Sequence, residues 1–109
     1  MNLNIQEFAD SMIDAARDAV GDRWPQMEAL ATTELRRLAQ SMADVGKHVA
    51  EGTIDPAHAR QLIHIHQIAS RSVLTTIKGF GVHSAEQVTR AAVRAVTPVL
   101  NRVLKFALL

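Results

Sequence analysis

The sequence predicts an all-α fold, an antiparallel bundle of about four helices filling one domain over residues 1–109. Three observations carry that prediction. Hydrophobic residues make up 48% of the chain while aromatics make up only 4%, the aliphatic and alanine-rich mix that closely packed helices use. Apolar residues recur every three or four positions through most of the chain. Gly and Pro fall between those periodic stretches, where connections belong.

The first helix is expected from about Leu3 to Val20, with Ile5, Phe8, Met12, Ala16 and Ala19 on one side and the acids Glu7, Asp10, Asp14 and Asp18 on the other. Gly21 supplies a stop. Trp24-Pro25 restarts the chain, because Pro is preorganised for a first helical position and pushes its predecessor out of the α region. A turn at about 21–24 follows, with Trp24, the only tryptophan, closing the end of the core.

The second helix, about Pro25 to Glu51, carries the most regular pattern. Ala31, Leu35, Leu38, Met42, Val45 and Val49 are spaced 4, 3, 4, 3, 4, a coiled-coil-like seam. Gly52 ends it, and Asp55 as N-cap with Pro56 as first helical residue begins the next, a stop and start that joins antiparallel neighbours.

The third helix, Asp55 to Phe80, reads as the stretch on which the rest packs. Ala59, Leu62, Ile65, Ala69, Val73, Ile77 and Phe80 share its expected apolar face, with Ile63 and Leu74 at the margin. Arg60, His64, Gln67, Arg71 and Lys78 share the other side. An end near Gly79-Phe80-Gly81 is expected, a single long kinked helix being the alternative. Beyond Gly81 the apolar frame resets to Ala85, Val88, Ala92, Ala95, Val99, Val103 and Phe106, which argues for a break. Ser84 to Gln87 matches a capping box. Pro98 predicts a kink or a second start.

Net charge is +1, yet the two halves are opposed. Residues 1–55 hold ten acids and five bases, a balance of −5; residues 56–109 hold one acid, Glu86, and seven bases, a balance of +6. Such asymmetry fits an acidic protein partner or a nucleic-acid face, but the simpler expectation is that the acidic and basic hairpins face each other. Recognition motifs are missing and aromatics for stacking are few, which argues against nucleic acid.

Candidate chemistry is sparse. His64 and His66, two apart, point to nearly opposite sides of a helix and cannot share one ion. His66 lies within the expected apolar face, as a hydrogen-bonded core histidine bonded to Ser70 or Thr76 or, alternatively, as a haem or metal ligand with Met42 or a symmetry mate. Asp44, His48 and Glu51, at i, i+4 and i+7, form the best metal candidate, although no Glu-x-x-His or His-Glu-x-x-His pair accompanies them. The chain has no Cys, no Gly-x-Ser-x-Gly turn and no phosphate-cradling loop, so no enzyme and no cofactor are expected. No signal peptide and no transmembrane span of about 20 apolar residues is visible, from which a cytoplasmic protein is expected.

The segments TTELRRLAQSMADVGKHVAEGTID and ASRSVLTTIKGFG resemble a family of short, uncharacterised bacterial all-helical proteins. That resemblance covers about half the chain and implies an all-helical fold without an activity. The ending adds one expectation. Val99, Leu100, Val103, Leu104, Phe106 and Leu108 cover more than one helix face, which predicts a homodimer with the C-terminal helix in its interface. Arg102 and Lys105 beside them would fit a membrane-surface anchor only weakly. The function expected is association, as a scaffold, adaptor or regulatory protein-protein interaction module.

Overall fold

The computed structural model describes the backbone of residues 4–104 and the side chains of residues 4–102. Every regular element in that span is helical: α1 (Ile5–Val20), α2 (Trp24–Ala50), α3 (Pro56–Leu74) and α4 (Gly81–Leu104), with a 3-10 turn over Gly21–Arg23. At 1.5 Å per residue, the 27 residues of α2 run about 40 Å, nearly the full 42 Å length of the molecule. α1 packs most closely on α4 and also on α2, α2 packs on α3, and α3 meets α4 more sparsely.

Local chemistry sets the ends. The Asn4 side chain accepts the Glu7 N–H at 3.1 Å and opens α1. Gly21, at φ 56°, ends α1 and makes the reversal, and the 3-10 turn that it opens leads directly into α2. At the end of α2 the Thr53 N–H donates to the His48 carbonyl and the Gly52 N–H to Val49, a Schellman closure that needs Gly52 at φ 75°. Asp55 caps α3 as expected, its carboxylate accepting the His58 N–H at 2.8 Å, with Pro56 in the first turn.

The seam of α2 is buried at all six expected positions. With twelve buried residues against four on α3, α2 is the element on which the others pack, a place that the sequence pattern assigns to α3. The face of α3 is also rotated. Ala59, Ile63, Ser70 and Leu74 are buried, whereas Ile65 is 59% exposed and Ala69 is exposed. α3 closes at Leu74, short of Gly79. The Thr75 and Thr76 hydroxyls donate to the Ser72 and Val73 carbonyls at 2.6 Å each, taking up oxygens of the last turn. The break between α3 and α4 is therefore real and begins at Thr75.

α4 begins at Gly81, so Ser84 is a buried residue inside it and the capping box does not form. The Ser84 hydroxyl accepts from Arg23 at 2.7 Å, and the Gln87 amide donates to the Ala19 carbonyl at 2.9 Å. Ala85, Val88 and Ala92 are buried as expected, but the core line then continues through Val96 and Leu100, leaving Ala95 exposed and Val99 half-buried. That is straight helical spacing, and α4 runs through Pro98 without a second start. At the same end of the molecule the Arg23 guanidinium lies 5.6 Å from the centre of the Phe80 ring, and Arg17 lies 5.8 Å from that of buried Trp24.

Candidate interaction surface

Because α3 turns its buried edge toward α2 and α4 turns its own mainly toward α1, the flanks they present to each other enclose a groove of about 520 Å³. Ile68, Val93 and Pro98 give it apolar surface. Thr89 and Thr97 also line it, but their hydroxyls donate to the Ala85 and Val93 carbonyls of their own helix, at 2.8 Å each. Ile68 is 39% exposed and so offers aliphatic surface at the groove floor.

The rim is cationic. Arg71 comes from α3 and Arg90 and Arg94 from α4, with His64 beside them. Glu86 is the one acid of the lining, and its carboxylate is held by Arg90 at 2.6 Å. Arg71 and Arg94 have no carboxylate partner among the described residues. Three guanidiniums against one carboxylate leave a positive local field above an apolar floor.

The residues singled out from sequence fare differently. Asp44 and His48 are exposed on α2 and Glu51 is exposed just past its end; His48 Nδ1 stands 4.0 Å from Glu51, while Asp44 accepts from Gln40 at 2.9 Å. No group of three histidine or carboxylate side chains among the described residues is placed to hold a metal ion, so the stripe does not converge. His66 is half-buried, short of the core burial expected of it, and lines a smaller cleft of about 310 Å³ between α2 and α3. Ser70 bonds across the seam to Glu34, at variance with the pairing to His66 considered above. Of the expected interface, Leu100 is fully buried in its own chain and so unavailable to a partner; Val99 is half-buried. Val103, Leu104, Phe106 and Leu108 lie outside the described side chains.

Acidic Glu7, Asp10, Asp14 and Asp18 form an exposed line on α1, the helix that packs on basic α4. The ion pairs Arg17–Asp14, Arg36–Asp10, Arg37–Glu34 and Arg90–Glu86 each stay within one half of the chain. These four pairs therefore supply no contact between the acidic and the basic half.

Sequence reasoning missed Glu34. Its carboxylate is 5% exposed and accepts from Arg37 at 2.8 and 2.9 Å and from the Ser70 hydroxyl at 3.0 Å, making it the polar link between α2 and α3. The signal was its place, three residues after Ala31 and four before Leu38, which puts it on the seam side of α2. No family model, curated protein or solved structure matches the chain. Among the described residues, no helix is long and apolar enough to cross a membrane.

Proposed function

We propose that the protein is a non-enzymatic bundle of four helices that acts by protein association, and that the α3/α4 groove is its contact surface. The observation that carries this reading is an apolar groove between α3 and α4, which meet more sparsely than α1 and α4, α2 and α3 or α1 and α2, rimmed by Arg71 and Arg94 without carboxylate partners among the described residues. A side of a fold that served packing alone would be expected to close over Ile68 and to pair its cations. Self-association is a second form of the same reading. A symmetric dimer through the C-terminal helix would have to do without Leu100, which is consumed by the core.

A display selection of helical peptides tests the docking surface, with Ile68→Glu as the counter-target. Enrichment of peptides that bind the wild type and not the variant supports it; peptides indifferent to the substitution refute it. Light scattering tests the dimer, which requires twice the chain mass of 11.9 kDa.

A further inference from the structure

We infer that the occupant of the α3/α4 groove is an acidic amphipathic helix of a separate partner chain, an inference that rests on the docking reading above. Groove length sets the first constraint. On α4 the lining residues run from Glu86 to Pro98, about 18 Å of helix axis at 1.5 Å per residue, so the site matches about three turns of a partner helix. Its cross-section sets the second. A volume of about 520 Å³ over about 18 Å leaves about 29 Å², against roughly 80–110 Å² for a helix 10–12 Å across. A whole helix does not sink in. One stripe of side chains at i, i+3 or i+4 and i+7 enters, and the helix body rides above on the rim.

The rim then meets the flanks of that stripe. Arg71 stands on the α3 side and Arg90 and Arg94 on the α4 side, so carboxylates on both flanks find a guanidinium while aliphatic residues face Ile68, Val93 and Pro98. A second folded copy does not meet these demands. The acidic line of α1 is exposed, but the apolar residues beside it, Phe8, Met12, Ile13 and Ala16, are already buried in their own core. Joining two grooves about a twofold axis would set Arg71, Arg90 and Arg94 against their own copies. Nucleic acid is a poorer match, because the floor is aliphatic and offers no aromatic ring for base stacking.

Three synthetic helical peptides of about four turns, identical in a leucine stripe and carrying Glu, Gln or Lys on both flanks, test the inference by fluorescence anisotropy against the full chain. The Glu peptide is expected to bind about tenfold tighter than the Gln peptide, and the Lys peptide weakest of all. Arg71→Gln with Arg94→Gln is expected to remove that tenfold advantage, about threefold for each rim arginine, with an unchanged far-ultraviolet circular dichroism spectrum. Raising salt from about 0.05 to about 0.3 M should shrink the same advantage. Ile68→Glu should abolish binding of both the Glu and Gln peptides. Equal affinity for Glu and Gln peptides overturns the acidic partner and leaves the docking groove standing. If no peptide binds below about 1 mM, weaker than about 4 kcal/mol, both readings fall. Binding of the Glu peptide that survives the arginine and Ile68 substitutions also overturns the inference, as does Arg71- and Arg94-dependent binding of single-stranded RNA or anionic vesicles without peptide binding.

Discussion

Replacing Ser70 with alanine severs the one polar link that α3 makes to the buried carboxylate of α2. The hydroxyl donates at 3.0 Å to Glu34, and both side chains are almost fully enclosed. A hydrogen bond to a charged group contributes about 1.5–3 kcal/mol. Glu34 keeps Arg37 at 2.8 and 2.9 Å, so the carboxylate is not orphaned and the loss should fall at the low end, about 1.5 kcal/mol. Glu34→Ala does more damage. It leaves the Ser70 donor buried without an acceptor, at about 1–3 kcal/mol, and opens space beside the cleft, so about 2–3 kcal/mol is expected in total. Combining Glu34→Ala with Ser70→Ala should recover about 1–1.5 kcal/mol of coupling, because the alanine that replaces the serine has no donor to orphan. Glu34→Leu combined with Ser70→Ala should approach wild-type stability, since a well-packed apolar pair often replaces a buried ion without loss. Urea unfolding followed by circular dichroism gives each value, and a loss of about 1.5 kcal/mol should appear as roughly 6 °C in Tm. If Ser70→Ala changes stability by less than about 0.5 kcal/mol and the coupling is near zero, the reasoning about this seam is wrong.

Asp55→Ala should cost about 1 kcal/mol in the same assay, because the carboxylate is the side-chain cap on the start of α3; Asp55→Asn should retain most of it. Leu38→Ala, in the middle of the α2 seam with 1% of its surface exposed, should cost about 2–5 kcal/mol, and a loss under about 1 kcal/mol would remove α2 from the centre of the core. Salt should lower Tm by a few degrees between about 0.02 and about 0.2 M, since acidic α1 lies on basic α4 within reach of a Debye length of roughly 10 Å. A Tm that rises instead would mean that repulsion among the groove arginines outweighs that attraction.

Sequence patterns reveal those parts of the fold governed by one helix alone. The α2 seam, the Gly52 closure and the Asp55 cap depend on residues within a few positions of each other, and each appears where the pattern puts it. α3 is harder because it offers two rival faces. Leu62, Ile65 and Ala69 look more apolar than Ile63, Ser70 and Leu74, yet Ile65 and Ala69 are exposed and Leu62 is only partly buried, while the second set is buried and Ser70 meets Glu34 on another helix. The same limit hides the groove. Arg71, Arg90 and Arg94 are visible as basic residues in the sequence, but their convergence depends on how α3 is rotated, and the exposure of Ile68 follows from that rotation. Spacing along one helix also says little of a metal site, because surrounding an ion takes groups from a second element, and among the described residues no group of three such side chains is assembled around Asp44, His48 and Glu51.

One end of the fold is sewn across the two halves of the chain. Arg23 reaches Ser84 and lies over Phe80, and Gln87 reaches Ala19, so both connections at that end are tied by side chains from opposite halves of the chain. The far end has the Gly52 turn, which closes on its own sequence neighbours through the Gly52 and Thr53 N–H groups, and the described end of α4. The ties at the Arg23 end should keep it closed longest, as a sheaf holds at its binding. Amide protection should be graded along each helix accordingly: in α3 the turns near Pro56 exchange before those near Leu74, and in α4 the order is reversed, with Pro98 in the half that exchanges first.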